Sequence, residues 1–261
     1  MRAVGDRAVT GLELHGDPEA SRVLLALTYA GGSSRTFRRW ARSVPPGWAL
    51  ATVELPGHGS RMAEPCLTRV EDAAAFVQEA LRSLPRRTRL SVFGYSLGGL
   101  IALELSATSV MNDEPPECLV IGASRPPGSG FGHPPVGQLG PGPEFLSRAV
   151  EYGLAAPEML VVPDLALHFG TALFHDLAMA ETYRYRGPAP LPSRLAVIGA
   201  RSDPLCPPAV LAGWSRFSDE PVRRSWVDGD HLAIEHNASA VIGEVWQGLQ
   251  EMTDGREEEI G

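Results

Sequence analysis

The sequence predicts an α/β protein in which a mostly parallel sheet is covered by helices on both faces. Short apolar runs of strand length alternate along the chain with helical patterns, which is typical of such sheets. Residues 23–27 and 118–123 are continuously apolar, as expected for strands that are buried on both faces. The chain has 261 residues, and its hydrophobic content of 44% is enough for the core of one large domain.

The amino-terminal part of the chain begins this alternation. After the strand at residues 23–27, Gly31 and Gly32 lie in a loop where the backbone can approach a ligand closely. Residues 48–54 form the next predicted strand, and residues 67–84 have the apolar spacing of an amphipathic helix. This order of elements favours strands that run in parallel and connect through helices.

Residues 90–109 are predicted to form a buried strand, a sharp turn with Ser96 at its apex, and a helix. The turn has the pattern G-x-S-x-G, in which Gly94 and Gly98 remove side chains that would otherwise collide. Such a turn strains the backbone at the serine and exposes its hydroxyl. It also aims the amide of Leu97 at the space beside that hydroxyl. The pattern therefore predicts that Ser96 is a nucleophile.

A serine hydroxyl needs a base to remove its proton, and the base needs an orienting acid. His231 follows the last predicted strand and Asp203 follows the strand at residues 194–200, so both lie at strand ends. The order serine, aspartate, histidine is that of hydrolases with this strand–turn–helix motif. The weaker candidates lie in a helical region or too close to the base in sequence: His168, His175, His236, Asp176, Asp228 and Asp230.

These residues predict an acyl-transfer mechanism. Ser96 would attack an acyl carbonyl while His231 accepts its proton, and the resulting oxyanion would need two backbone donors. Leu97 is one expected donor. Ala30 is the other, because the loop after an early strand supplies the second donor in this architecture. A plain turn between strand and helix is the alternative interpretation of the loop that contains Ala30.

The alternation of strands and helices is interrupted over residues 125–185. Residues 125–143 are rich in proline and glycine, and residues 144–183 have helical patterns with no evident strand. A helical excursion between two strands predicts a lid over the carboxyl ends of the strands. A small separate helical domain is the alternative. We therefore expect one domain over residues 1–261, with the lid inserted at 125–185.

A basic pattern follows the glycine-rich loop. Four arginines recur there at the spacing of one α-helical face: Arg35, Arg38, Arg39 and Arg42. Phe37 and Trp40 would then turn inward. The pattern fits an ordinary solvated face, or alternatively a docking surface for an anionic group such as a phosphate. The second interpretation gains interest because the whole chain has a net charge of −8.

Composition narrows the classes of function. The net charge of −8 argues against a nucleic-acid partner. Three cysteines far apart in the sequence predict neither a disulfide framework nor a metal site: Cys66, Cys118 and Cys206. The sequence has no evident signal segment and no apolar run of membrane-spanning length. We therefore expect a cytoplasmic, monomeric protein that binds neither metal nor membrane.

The chain resembles the type II thioesterases, which are stand-alone α/β-hydrolase enzymes of polyketide and nonribosomal peptide biosynthesis. The resemblance covers nearly the whole chain and rests on Ala30-Gly31-Gly32-Ser33 with Phe37 and Trp40, residues 54–61 with Glu64-Pro65, residues 94–98, Asp176 with residues 181–185, Gly199, Asp203-Pro204, Trp214 and His231. It implies that acyl thioesters are hydrolysed from the phosphopantetheine arm of acyl or peptidyl carrier domains, for editing or release. It also implies a triad of Ser96, Asp203 and His231, with no cofactor of its own.

The sequence departs from the family pattern close to the predicted site. Tyr29 stands where the family usually has histidine, and Tyr95 and Leu97 replace the histidine and methionine that usually flank the serine. These departures leave the triad intact but affect the oxyanion loop and the acyl pocket. A general serine esterase or acyltransferase with the same triad is a second interpretation. A non-catalytic binding module of the same fold is a third.

Overall fold

A computed structural model of the chain describes residues 11–17, 19–85, 88–111 and 114–259. Seven strands lie within these ranges: β1 (Leu12–Gly16), β2 (Arg22–Leu27), β3 (Trp48–Val53), β4 (Arg89–Tyr95), β5 (Cys118–Gly122), β6 (Arg194–Ala200) and β7 (Arg223–Val227). They form one sheet in the order β1-β3-β2-β4-β5-β6-β7. Every neighbouring pair is parallel except β1 and β3, which are antiparallel.

Helices connect the parallel strands, as the alternation of patterns predicts. The α-helices within the described ranges are α1 (Val70–Leu81), α2 (Leu97–Met111), α3 (Pro143–Glu151), α4 (Glu158–Val161), α5 (Pro163–Thr182), α6 (Pro208–Leu211), α7 (Ala233–His236) and α8 (Ala238–Glu259). Shorter-pitch 3-10 helices occupy Ser34–Ser43, Gly59–Arg61 and Ala212–Phe217. Several of the α-helices begin or end one to three residues away from the boundaries that the sequence predicts, because helix ends fray and have no sharp boundary.

Both faces of the sheet are covered by apolar layers. Leu24 and Leu25 are adjacent in β2, so their side chains point to opposite faces, and both are fully buried. Leu25 belongs to a cluster that contains Ile101 of α2 and the apolar face of α1. Leu24 belongs to a second cluster, with Trp40 and with Val245 of α8. This three-layer arrangement confirms the predicted α/β class.

The strand β1, which pairs with β3 at the edge of the sheet, is not predicted from the sequence. Its residues alternate between apolar and polar, with Leu12 buried and Glu13 exposed. An edge strand needs only one apolar face, so it lacks the continuous apolar run that marks the central strands. A continuous apolar run therefore marks β2 but not β1.

The predicted α-helix after the glycine-rich loop is instead the 3-10 helix Ser34–Ser43. Residues three apart share a row in a 3-10 helix, which explains why Phe37 and Trp40 are both buried. The single arginine face was therefore a wrong prediction. The four arginines are exposed on two rows, Arg35 with Arg38 and Arg39 with Arg42.

The chain between β5 and β6 is helical and contains α3, α4 and α5; we refer to it as the insertion. The insertion packs on the sheet through Leu173 and Leu177 of α5, which join the same apolar cluster as Leu97 and Leu100 of α2. Because α2 begins at the carboxyl end of β4, α5 lies over that edge of the sheet. Within the described part of the chain, every helix is too short or too polar to cross a bilayer.

Candidate active site

Ser96 lies between the last residue of β4 and the first residue of α2, in a conformation that non-glycine residues rarely adopt. Its φ angle is +52°, and its backbone N–H donates to the Gly122 carbonyl at 2.8 Å. A Cβ atom on Gly94 would lie 2.2 Å from the Gly98 carbonyl oxygen, and one on Gly98 would lie 2.4 Å from that of Leu27. Both glycines are therefore required by close backbone approach, as the motif predicts.

The three side chains predicted to act together are joined by hydrogen bonds. The Ser96 Oγ lies 2.9 Å from His231 Nε2, and His231 Nδ1 lies 2.8 Å from Asp203 Oδ2. Asp203 and His231 are buried, with 4% and 7% of their surfaces exposed. Residues separated by up to 135 positions thus meet at the carboxyl edge of the sheet. The arrangement can move a proton from the serine hydroxyl to the imidazole.

Backbone donors and one tyrosine hold this chain of side chains in place. The second oxygen of the Asp203 carboxylate accepts the N–H groups of Leu205 at 2.8 Å and Cys206 at 3.2 Å. The Tyr95 hydroxyl donates to the His231 carbonyl at 3.1 Å, which links the strand before the serine to the loop that carries the histidine. Burial raises the pKa of Tyr95 well above its usual range, so this phenol stays protonated.

The weaker candidates lie elsewhere. The His236 side chain is 62% exposed and lies 3.6 Å from Asp230. Asp228 is exposed and pairs with Arg201. His175 packs against the Phe174 ring. The side chain of His168 lies outside the described residues.

Within the described residues, Asp203, Cys206 and His231 bring atoms of metal-binding type within 4.8 Å of one another. These atoms are already joined by hydrogen bonds, because Asp203 engages His231 and the Cys206 thiol donates to the Ala123 carbonyl at 3.2 Å. Burial, together with the charge of Asp203, raises the pKa of Cys206 and keeps its thiol protonated. The absence of a metal from the site stays a prediction from the sequence.

A cavity of about 320 Å³ opens beside the serine. Ser96, His231 and Leu97 line it together with apolar side chains from the insertion, including Leu154 and Leu177. Its walls are mainly apolar, and the hydrogen-bonded Ser96 and His231 form part of them. That combination is typical of a pocket for a small apolar group next to a reacting centre.

Of the two predicted oxyanion donors, Leu97 lies in the elbow and Ala30 lies in the loop that begins beside it. Leu97 is the first residue of α2, where helix geometry leaves the backbone N–H groups without intrahelical partners. A Cβ atom on Gly98 would lie 2.6 Å from the Thr28 carbonyl oxygen, so the loop that contains Ala30 begins against the elbow. Ala30 itself borders a second cavity, of about 580 Å³.

The second cavity lies next to the first, and Leu154 lines both. Two of the four predicted docking arginines, Arg35 and Arg39, border the second cavity. Arg38 and Arg42 are exposed but do not border it. The structure therefore divides the arginine set that the sequence treats as one group.

Tyr29, one of the departures from the family pattern, anchors the glycine-rich loop. Its hydroxyl donates to Glu235 Oε1 at 2.9 Å, and the Thr36 hydroxyl donates to the same oxygen at 3.0 Å. Burial and then the negative charge of Glu235 raise the pKa of Tyr29 above its usual range. Because Glu235 belongs to α7, this contact ties the loop of Ala30 to the segment just after His231.

The sequence analysis also missed a buried pair, His58 and Asp176, next to the same loop. From the sequence, Asp176 is only a weak candidate for the orienting acid. The side chains of His58 and Asp176 lie 2.9 Å apart, and the Gly31 N–H donates to the same carboxylate at 2.7 Å. Their separation of 118 residues leaves no local pattern that could reveal the pair.

The chain is similar in sequence to known proteins. The chain is 31% identical over 225 residues to the AMB antimetabolite synthetase AmbE of Pseudomonas aeruginosa, and the match covers 85% of this chain but 10% of AmbE. The chain thus spans only a tenth of that relative. It is 28% identical over 232 residues to the thioesterase PikA5 of Streptomyces venezuelae, which covers 88% of this chain and 82% of PikA5.

Solved structures share the fold. ClbQ, from the colibactin NRPS/PKS pathway, superposes with a TM-score of 0.81 at 22% identity, covering 92% of this chain and 99% of ClbQ. The RedJ thioesterase of Streptomyces coelicolor superposes with a TM-score of 0.77 at 24% identity, covering 88% of this chain and 86% of RedJ. The predicted α/β-hydrolase fold is confirmed. The thioesterase domain family matches residues 22–247, and the chain belongs to that family.

Proposed function

We propose that the protein is a type II thioesterase that hydrolyses acyl thioesters from the phosphopantetheine arm of carrier domains in polyketide or nonribosomal peptide biosynthesis. The observation that carries the proposal is the hydrogen-bonded series Ser96, His231 and Asp203, at a strained turn beside an apolar cavity. The names of several relatives support the biosynthetic context. These include the thioesterase PikA5 and the gramicidin S biosynthesis protein GrsT of Aneurinibacillus migulanus.

The first half of the proposed reaction transfers the acyl group to the enzyme. The Ser96 Oγ attacks the thioester carbonyl carbon while His231 Nε2 accepts the hydroxyl proton. Asp203 stabilises the resulting imidazolium through His231 Nδ1, and the N–H groups of Leu97 and Ala30 hold the oxyanion. The carbon–sulfur bond then breaks. His231 returns its proton to the thiolate of the arm, which leaves as a thiol.

The second half releases the acid. A water molecule gives a proton to His231 Nε2 and attacks the acyl-serine carbonyl carbon. The tetrahedral intermediate uses the same two backbone donors. The bond from the carbonyl carbon to Ser96 Oγ then breaks, and the proton on His231 returns to that oxygen. The carboxylic acid leaves and the free enzyme is restored.

The two cavities suggest where the parts of the substrate bind. The cavity of about 320 Å³ contacts Ser96 and has mainly apolar walls, which suits the acyl group. The second cavity borders Ala30 and carries Arg35 and Arg39 at its edge, which suits the arm with its anionic phosphodiester. The insertion supplies walls to both cavities through Leu154. We therefore assign the helical insertion the role of the predicted lid.

The decisive experiment compares the wild-type enzyme with Ser96→Ala on acyl-pantetheine thioesters. We expect Ser96→Ala to lose more than about a thousandfold in kcat, because no other group can form the acyl-enzyme. Mass spectrometry of wild-type enzyme quenched during turnover should detect the acyl group on Ser96. Thioester cleavage that survives Ser96→Ala would contradict the mechanism.

A second measurement separates the proposal from its alternatives. The same acyl groups presented as thioesters and as simple oxyesters should be hydrolysed at different rates, and kcat/KM should favour the thioester. Preference for the oxyester would favour a general esterase, and transfer to an added alcohol or amine would favour an acyltransferase. If no activated acyl donor labels Ser96, the chain is a binding module of this fold.

A further inference from the structure

Asp176 joins three separate parts of the chain through a single oxygen atom. Its Oδ2 lies 2.9 Å from His58 Nε2 and accepts the Gly31 N–H at 2.7 Å. Asp176 belongs to α5 of the insertion, His58 to the loop after β3, and Gly31 to the loop that contains Ala30. The His58 and Asp176 side chains are 5% and 2% exposed, so the contact is shielded from water.

The hydrogen-bond partners of His58 define its charge. Its Nδ1 lies 3.0 Å from the Pro56 carbonyl oxygen, so both ring nitrogens face acceptors and both must carry a proton. The ring is therefore an imidazolium that pairs with the Asp176 carboxylate. Burial alone would lower the pKa of His58, but the hydrogen bond and charge of Asp176 outweigh burial and raise it to about 9.

Two other titratable groups face this pair. The Glu54 carboxylate adds a further favourable charge for the cationic form of His58. The Cys66 thiol, whose pKa is raised by burial and then by Asp176, stays neutral. Glu54 is also anchored on the adjacent loop, because it accepts the Ser34 N–H and hydroxyl at 3.1 and 2.8 Å. The environment of His58 is therefore negative on the whole.

The same contacts fix the loop that carries the expected oxyanion donor. Gly31 follows Ala30 and has a φ angle of +73°. The bond from its N–H to Asp176 fixes the Ala30–Gly31 peptide, which adjoins the Tyr29–Ala30 peptide that carries the Ala30 N–H. Leu173 of α5 packs on the same spot, since a Cβ atom on Gly31 would lie 3.2 Å from the Leu173 Cβ. The orientation of the Ala30 backbone therefore depends on how α5 packs against this loop.

We propose that Asp176 and His58 are positioning residues, a buried charged pair that holds the Ala30–Gly31 peptide and thereby orients the adjoining Ala30 N–H for the oxyanion hole. The pair also links the packing position of α5 to the geometry of the oxyanion hole. The carboxylate of Asp176 belongs to α5, whereas the amide of Gly31 belongs to the loop that contains Ala30. This inference rests on the proposed function. It extends that function to two residues that touch neither the serine nor the histidine of the triad.

The opposite charges of His58 and Asp176 contribute to the positioning role in addition to their hydrogen bonds. Among the described residues no donor reaches Asp176 Oδ1, so the buried carboxylate relies on the contacts of Oδ2. Loss of the His58 proton would leave this buried negative charge without its partner, which is costly. The cationic form of His58 is favoured by folding, and its contribution is lost as the pH rises through about 9. We therefore expect kcat/KM to fall above that pH.

Three variants separate the charge from the hydrogen bond. Asp176→Asn keeps an oxygen that can accept from Gly31 but removes the charge, whereas Asp176→Ala removes both. We expect kcat/KM for an acyl-pantetheine thioester to fall roughly tenfold in Asp176→Asn and on the order of a hundredfold in Asp176→Ala. The decline of activity above pH 9 should disappear in Asp176→Asn and in His58→Gln.

Two further readouts distinguish positioning from simple loss of stability. An alkyl boronic acid forms a tetrahedral adduct with a serine nucleophile, so its affinity should weaken in parallel with kcat/KM while KM changes little. Hydrogen exchange at the Gly31 amide should accelerate in Asp176→Ala. Ser193→Ala is the matched control, because it removes a buried hydrogen bond to Pro116 at the opposite edge of the sheet. The control should lower the melting temperature without changing either readout.

The outcomes separate this inference from the proposed function. If wild-type enzyme never forms an acyl-serine, the proposed function is wrong, and the exchange rate at Gly31 still tests the positioning role. If wild-type enzyme forms it and Asp176→Ala matches wild type in kcat/KM, boronate affinity and exchange, the positioning role is wrong. Persistence of the decline above pH 9 in both neutral variants would overturn the role of charge.

Discussion

At the scale of single residues, the site depends on contacts outside the three side chains that would do the chemistry. Tyr95 is the clearest case, because it is 1% exposed and its hydroxyl donates to the His231 carbonyl at 3.1 Å. The histidine is thereby fixed through its backbone as well as through Asp203. A departure from the family pattern beside the serine thus has a definable role in orienting the base.

The variant Tyr95→Phe tests this role. It leaves a buried carbonyl without its donor, so we expect the free energy of unfolding in urea to fall by about 1 kcal/mol. We also expect kcat to fall severalfold with KM nearly unchanged. Tyr185→Phe is a matched control, since the Tyr185 hydroxyl donates to Pro188, away from the triad. Equal losses of kcat in both variants would contradict a specific role for Tyr95.

Some residues of the candidate site can be predicted from the sequence, and others cannot. The Ser96 motif is local, and Asp203 and His231 each follow a recognisable strand, so patterns that are visible in the sequence identify all three. The contacts of Asp176 with His58 and of Tyr29 with Glu235 join positions 118 and 206 residues apart. No periodicity or spacing encodes such pairs, because only the folded topology brings them together.

At the scale of elements, the segment Ser34–Ser43 is the most instructive. Its arginines match α-helical spacing, yet the two buried aromatic residues Phe37 and Trp40 are three apart and match a 3-10 row equally well. The local pattern could not decide between the two helices. The second cavity divides the arginines in another way than the 3-10 rows do, because Arg35 and Arg39, one from each row, border it.

Two double variants with the same change of charge test which arginines contact the substrate. Arg35→Glu with Arg39→Glu should lower kcat/KM roughly tenfold for acyl-carrier protein and for acyl-phosphopantetheine, because both contain the phosphate group. Acyl-pantetheine, which lacks that group, should be spared. Arg38→Glu with Arg42→Glu should change all three rates less than about twofold, since surface charges act weakly at a distance.

Rates on the three substrates also show which results would contradict phosphate binding by Arg35 and Arg39. Equal loss on acyl-pantetheine would mean that the first pair of substitutions damages the loop of Ala30 rather than a contact with phosphate. Equal effects of the two double variants on acyl-carrier protein alone would indicate a general charge effect on a partner surface. In either case Arg35 and Arg39 would not be the phosphate contacts.

At the scale of the whole molecule, the proposed function uses two neighbouring cavities, and Leu154 lines both. The insertion contributes to both, through Leu154. The sequence predicts this insertion from the long interval without strands, and it predicts the edge from the parallel strands. The sequence does not predict that there are two separate cavities near Ser96. Their separation depends on how α5 and the segment around Leu154 pack, which no local pattern encodes.

A pair of alanines at matched depth tests the assignment of the cavities. Ala180 lines the cavity at Ser96, and Ala156 lines the cavity with the arginines. Ala180→Leu should reduce the space for the acyl group, so kcat/KM should fall roughly tenfold for long acyl chains and little for acetyl. Ala156→Leu should instead lower kcat/KM by the same factor for every chain length, because the arm is common to all substrates. The measurement is kcat/KM across a series of acyl-pantetheines from acetyl to decanoyl. An exchange of the two patterns would mean that the acyl group occupies the larger cavity, and the arm would then have to reach Ser96 from the opposite side of Leu154.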